Sequence, residues 1–344
     1  MLFIEAELKA LGFDSQRIDV ESNRWNLLAR LGNGSPIICL NAHADTVPPS
    51  GDSIPDARIS DGKLYGLGSC DDKASIAAMI CAFRALYDEI PNGTVDLLIS
   101  VDEEGDAKGV RTALEHGYRC DYAIVGEPTG LNVVRAHCGL LFLDVMTHGV
   151  AAHGSIPWNG INAIEEMIAL EIALHKAACT FLADPAVGGP SMNFGAISGG
   201  DRPNRVPDKC SALFDIRVIS PAATGDVLAA ISSALKPFVE RGATWRVSKR
   251  GEPLSTPEDS PLVQAVHKVT QDLTGNRSKV IGWRGWTEAE PFQTALGIDA
   301  IVFGPGDLCQ AHSNNEFVDV EEVKLAAQGY AAAVQLCIDQ LMQK

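Results

Sequence analysis

The chain has 344 residues, more than one hydrophobic core usually organises, so two domains are expected. An apolar fraction of 46% excludes wholesale disorder, and 28 basic against 44 acidic residues, a formal charge of -16, argues against nucleic acid or an anionic membrane as partner. Nine cysteines form an odd count with no CxxC pair, and Cys39, Cys81 and Cys337 lie inside apolar runs; reduced, buried thiols of a cytoplasmic protein are expected, not a disulfide framework. Met1-Leu2-Phe3-Ile4-Glu5 offers neither the charge nor the length of a signal peptide, and no segment has the unbroken apolar length of a membrane helix.

In chain order, the first predicted element is a short helix over 5–11, followed by the apolar run Ile37-Ile38-Cys39-Leu40, which ends on His43 and Asp45. The loop Gly66-Leu67-Gly68-Ser69 leads to Asp71 and then to a predicted helix over 73–87, where Ile76, Met79, Ile80, Phe83 and Leu86 recur at helical spacing. Apolar residues 97–101 run into Asp102-Glu103-Glu104, and 122–125 into Glu127. This βα rhythm, up to about residue 140, predicts a mainly parallel sheet. A different order follows: strand 141–147, helix 162–174, strands 192–197 and 212–218, helix 222–235 and strand 244–248. That βαββαβ order is the ferredoxin-like split-βαβ sandwich. Helix returns at 261–273, a strand at 300–303 precedes His312, and a helix over 320–343 closes the chain. The expected fold class is α/β, with a catalytic domain of 1–140 and 253–344 interrupted by an inserted domain of 141–252.

Strands that read as apolar throughout are buried on both faces, so the polar residues ending them should emerge together at the carboxyl edge of one sheet, where open α/β sheets place ligands. Carboxylates mixed with two imidazoles suit zinc, and also manganese or cobalt. An Asp between two ions bridges them through its two oxygens, a task that suits Asp71, and a cocatalytic pair both activates water and polarises a carbonyl. Glu103 and Glu104 are adjacent at a strand end and point different ways, which lets one bind metal while the other serves as general base. Asp45, two residues from His43, is placed to orient that imidazole. An HxD triplet or an Asp-Glu-Glu run by itself is more often a solvated loop. Their convergence at strand ends carries the argument.

The blocks His43-Ala44-Asp45-Thr46-Val47-Pro48, Gly68-Ser69-Cys70-Asp71-Asp72-Lys73, Asp102-Glu103-Glu104-Gly105, Gly126-Glu127-Pro128-Thr129 and Gly304-Pro305-Gly306 with Ala311-His312 and Glu316 resemble, in order, the signatures of a zinc-dependent hydrolase family. That family includes acetylornithine deacetylase, succinyl-diaminopimelate desuccinylase, aminoacylase and carboxypeptidase G. The resemblance implies that His43 and Glu127 hold one zinc, Glu104 and His312 the other, that Asp71 bridges, that Glu103 is the base and that Asp45 orients His43. The insert resembles the family's lid and dimerisation domain, with His153 in Gly149-Val150-Ala151-Ala152-His153-Gly154-Ser155 as the histidine lent to a partner's site. Its chemical task would be donation to the developing oxyanion. Asn204 and Arg217 match the positions that grip a substrate carboxylate, which a guanidinium does bidentately. Thr287-Glu288-Ala289 and the block from Gly304 to His312 look closest to the acetylornithine deacetylase branch, although Leu67 stands where an Arg is frequent and only a short helix and strand were read before His43, where members usually carry a further helical segment.

The expectation is therefore a cytoplasmic, homodimeric enzyme with two zinc ions, replaceable by cobalt or manganese, that deacylates a small N-acyl amino acid without nucleic-acid or membrane partners. Succinyl-diaminopimelate desuccinylase and a dipeptidase or carboxypeptidase are the enzymatic alternatives. A catalytically silent homologue that binds amino-acid conjugates is the alternative of another class.

Overall fold

A computed structural model describes residues 1–49, 56–87, 89, 93–219 and 224–343. The chain divides into two compact units, one of Met1–Ala136, Ser255–Gly282 and Thr287–Lys344, the other of His137–Leu254 and Trp283–Trp286.

The first unit is built on a mixed sheet whose four central strands, Thr94–Ser100, Ile37–His43, Tyr122–Val125 and Asp299–Val302, lie in that spatial order and run parallel. Every residue of Thr94–Ser100 is buried, as expected of a strand covered on both faces, and its one charged member, Asp96, is paired with Arg30 at 2.7 Å. In register His43 lies opposite Ser100, and Asn41 opposite both Leu98 and Val125, so these strands stop nearly level. Their shared end is where His43, Asp102-Glu103-Glu104 and Glu127 leave the sheet.

Helix Lys73–Leu86 buries Ile76, Met79, Phe83 and Leu86, the stripe read from its spacing. It packs against the closing helix Val320–Met342, which Asp319 caps by accepting the Glu321 N–H at 2.8 Å. Phe83 anchors this layer, with its ring edge-to-face on Phe13 at 5.0 Å.

Three features depart from the expectations. The opening is not a βα alternation: Ser15–Glu21 and Arg24–Gly32 form an antiparallel hairpin that pairs on to Thr94–Ser100. Ser15–Glu21 is a half-exposed edge strand without an apolar run, so hydrophobicity does not mark it. A small sheet of Arg58–Ser60, Lys63–Tyr65 and Phe317–Asp319 has no sequence signal, because three-residue strands are too short for any period to show. Finally, all nine cysteines are free, but Cys81 and Cys309 are exposed; Cys81 lies on the outer side of its helix.

The second unit has the order strand, helix, strand, strand, helix, strand. Its antiparallel sheet is arranged Ser191–Gly199, Lys209–Val218, Gly139–His148, Thr244–Gly251. Leu141, Leu143, Phe214 and Ile216 on alternate strand positions pack against Met167, Leu170 and Leu174 of helix Ala163–Ala178 and Val227, Ile231 and Leu235 of helix Thr224–Val239. Asn162 caps the first helix through the Ile164 N–H at 3.0 Å. Residues 222–223, expected to begin the second helix, lie outside the described residues.

Phe83→Ala is expected to cost about 3–5 kcal/mol, through lost transfer energy and the cavity left behind, and to lower the thermal unfolding midpoint. An unchanged midpoint would show that the packing of this helix is not what holds the layer together.

Candidate metal centre

All the side chains described in this centre belong to the first unit. His43 is the last residue of its strand, Glu127 follows its strand by two residues, and Glu104 stands in the turn after Thr94–Ser100. Asp71 comes from the loop before helix Lys73–Leu86. Ligand atoms of His43, Asp71 and Glu127 lie within 4.8 Å of one another, and so do those of Asp71, Glu104 and His312. Asp71 belongs to both groups: its Oδ1 is 3.0 Å from His43 Nε2 and its Oδ2 is 3.4 Å from His312 Nε2. The latter nitrogen is also 3.0 Å from Glu104 Oε1. Two trios of oxygen and imidazole donors sharing one carboxylate, with a separate oxygen for each trio, fit a pair of divalent ions.

The two groups differ in exposure. The His43 side chain is 2% exposed and the Asp71 side chain 8%, whereas His312 is 51% exposed. An ion held by the first group would be enclosed, and one held by the second would face an open side.

Glu103 belongs to neither trio. Its backbone N–H and that of Glu104 point at the two oxygens of Asp45, at 3.3 and 3.2 Å. Asp45 thus clamps the turn that carries both glutamates. His43 Nδ1 lies 3.1 Å from the Asp45 carbonyl oxygen and 3.6 Å from its carboxylate, so the imidazole's nearest contact with this residue is the main chain.

Two supporting residues were not singled out in sequence. Glu316, which the sequence marks only as a member of a motif, is buried and accepts the N–H groups of Gly68 at 2.8 Å and of Cys70 and Asp71 at 2.9 Å each. It shapes the loop that presents Asp71, and it reaches that loop because Phe317–Asp319 pairs with Lys63–Tyr65. Asp72 is wholly buried, and neither of its carboxylate oxygens has a partner among the described residues. Close packing extends to Gly126: a Cβ there would lie 2.5 Å from Ser75 Cβ and 2.9 Å from Asp72 Oδ2.

The electrostatics follow from packing acids together out of water. Burial, reinforced by neighbouring carboxylates, pushes Glu103 and Asp72 up to about 8 and Glu127 well above its ordinary value. Burial also opposes ionisation of Asp71, but the two imidazoles outweigh it and hold that carboxyl below the usual range. His43 is pulled down by burial and more than restored by Asp45 and Asp71, while His312 rises to about 9 chiefly through its hydrogen bond to Asp71. Bound cations would reverse the upward shifts of Glu103, Asp72 and Glu127 and reinforce the downward one of Asp71, since they favour the ionised forms.

His153, Asn204 and Arg217 lie in the second unit. His153 is exposed, with Nδ1 2.9 Å from Ser155 Oγ, and its segment is joined to that of Asn204 by the Gly154 N–H donating to the Asn204 carbonyl at 2.8 Å. Arg217 donates through Nε and Nη2 to Asp215 Oδ2, at 3.2 and 2.9 Å. That contact braces the guanidinium and leaves Nη1 free of it.

The sequence profile of peptidase family M20/M25/M40 matches residues 39–336. Acetylornithine deacetylase of Pasteurella multocida is 34% identical over 338 residues, spanning 91% of this chain and 84% of that protein. The enzyme of the same name from Proteus mirabilis is 35% identical over 329 residues, spanning 91% and 83%. An M20-family metallo-carboxypeptidase from Sulfolobus solfataricus superimposes with a TM-score of 0.85 at 17% identity, covering 98% of this chain and 93% of its own. A dinuclear metal-binding peptidase of the M20 family from Bacillus subtilis does so with a TM-score of 0.70 at 17% identity, covering 100% and 92%.

Protein reconstituted with excess zinc and desalted is expected to retain about two equivalents per chain by elemental analysis. Asp71→Ala should lower both, and His312→Ala should lower one and leave the enclosed ion in place. A single equivalent in the unmodified protein would overturn a two-ion centre.

Proposed function

We propose that this chain, which belongs to peptidase family M20/M25/M40, is a two-zinc amidohydrolase that removes the acyl group from an N-acyl amino acid, most specifically N-acetylornithine. The observation that carries the reading is the pair of ligand trios sharing Asp71 beside a glutamate, Glu103, that belongs to neither. The deacetylase branch is supported by relatives at about a third identity over most of both chains.

In this reading His43 and Glu127 hold one ion, Glu104 and His312 the other, and Asp71 both, with cobalt or manganese as possible replacements for zinc. Bound there, such a pair would supply Lewis acidity at the amide carbonyl and would make water acidic enough to lose a proton near neutral pH. Glu103 takes that proton and passes it to the amine nitrogen as the carbon–nitrogen bond breaks, so amide and water become amine and carboxylic acid, and the acid's own proton then goes to the amine to leave a carboxylate and an ammonium group. Asp45 keeps Glu103 in place through the main chain and orients His43.

The second unit is assigned the lid and dimerisation role. Its edge strand Ser191–Gly199 is largely exposed and carries Phe194 and Ile197, and helix Ala163–Ala178 exposes Ile168 and Ile172. An unpaired apolar edge of this kind suits pairing with its twin about a two-fold axis. In the dimer, His153 of one protomer donates to the developing oxyanion in its partner, and Arg217 with Asn204 receives the substrate α-carboxylate.

Glu103→Gln is expected to keep metal content and substrate binding and to reduce turnover by about two orders of magnitude or more. Mixed with inactive His153→Ala chains under exchange conditions, it should regenerate activity. Near-normal turnover of the first variant would reassign the two glutamates, and no recovery despite proven exchange would remove His153 from the partner's site.

Steady-state rates on N-acetylornithine, N-acetylcitrulline, N-acetylmethionine, N-succinyl-diaminopimelate and a simple dipeptide should rank N-acetylornithine first, and its carboxyl-amide should react poorly. Arg217→Lys, which keeps charge but loses the planar fork, should still depress kcat/KM. Equal rates on free and blocked carboxylates would exclude Arg217, and cleavage confined to the dipeptide would move the protein to the peptidase branch.

A further inference from the structure

Glu288 lies wholly buried in the first unit, immediately before helix Ala289–Leu296. Its Oε2 is 2.5 Å from Ser100 Oγ, and its Oε1 has no hydrogen-bond partner among the described residues. A carboxyl sequestered in this way is costly to keep, so its position calls for a task beyond filling space.

Ser100 is the point at which two strands are tied together. It ends Thr94–Ser100 opposite His43, and its carbonyl accepts the Ala44 N–H at 3.0 Å. Its hydroxyl oxygen accepts Asn41 Nδ2 at 3.1 Å and lies 3.2 Å from the Ala42 carbonyl oxygen. Glu288 supplies the remaining contact of that hydroxyl. Three residues further on stands Glu103, with Glu288 among the acidic groups that act on it. The turn between them is pinned at its far end by Asp45 and on one flank by Arg24, which donates to Asp102 at 2.8 Å. Asp102 itself has a left-handed backbone, with φ of 73°, a conformation that aspartate tolerates better than most residues and that turns the chain sharply here.

We propose that Glu288 is a positioning residue for Glu103, acting through Ser100: its hydrogen bond fixes the strand end from which the glutamate-bearing turn departs. The proposal rests on the reading of Glu103 as the base. It assigns the carboxyl a role as hydrogen-bond partner, so an amide of the same length should replace it.

The test compares Glu288→Ala, Ser100→Ala and Glu288→Gln with the unmodified, zinc-reconstituted protein. The two alanine variants are expected to lose about tenfold or more in kcat with KM within about threefold and metal content unchanged, while Glu288→Gln stays within about threefold in both constants. Hydrogen–deuterium exchange followed by mass spectrometry should show faster exchange in peptides covering 101–107 for Glu288→Ala and not for Glu288→Gln. The proposal is overturned by a glutamine variant as slow as the alanine one, by unchanged exchange in Glu288→Ala, or by loss of a metal equivalent in that variant. If the unmodified protein cleaves no N-acyl amino acid, the proposed function fails, and the exchange measurement still decides whether Glu288 holds the turn.

Discussion

Asp71 lies between two histidines in a space that also contains Asp72, Glu103, Glu104 and Glu127, and the first unit is organised around tolerating that concentration of acid. Out of water, like charges repel strongly and an isolated ionised carboxylate is prohibitively costly, so the group must take up protons or gather cations. The upward shifts of Glu103, Asp72 and Glu127 are the response of the protein by itself. Divalent ions would be the other response, and they would turn a destabilising cluster into a favourable one.

Holding such a cluster together requires a scaffold that repulsion cannot spread. The four parallel strands provide one, because their buried faces and shared register leave His43 and the turns after Ser100 and Val125 no freedom to separate. The loop carrying Asp71 lacks a strand of its own and is held by Glu316, whose carboxylate collects three main-chain N–H groups. These bonds are charge-assisted and buried, and so among the stronger a side chain can make. Asp45 does the same for the turn bearing Glu103 and Glu104. Acidic residues are thus used twice, around the centre as ligand donors and behind it as acceptors for the loops.

The centre is also asymmetric. His43, Asp71 and Glu127 are enclosed, whereas His312 is half-exposed on a left-handed backbone with φ of 58°. Backbone strain of this kind persists where the surroundings enforce it, and it commonly marks functional positions. The inner group is thus closed to solvent, and the outer one is open to it at His312.

Much of this was legible in the amino-acid order. Apolar runs ending on acids and histidines identify buried strands and put His43, Glu104 and Glu127 at one edge, because a strand covered on both faces is mostly apolar and its few buried polar residues, such as Asn41 and Asp96, need partners of their own. The helical spacing of Ile76, Met79, Phe83 and Leu86, and the strand–helix order of the second unit, follow from equally local periodicities. What sequence could not determine was whatever depended on contacts between distant segments. Glu316 acts on Gly68, Cys70 and Asp71 only because a three-residue strand pairs across the fold, and Glu288 meets Ser100 across 188 positions of chain. No local pattern marks a buried glutamate as an anchor and not a surface charge, since the distinction lies in which N–H or O–H groups the tertiary structure places within 3 Å or so of its oxygens. The hairpin at the start and the exposure of Cys81 belong to the same class, being set by which face the neighbouring elements leave uncovered.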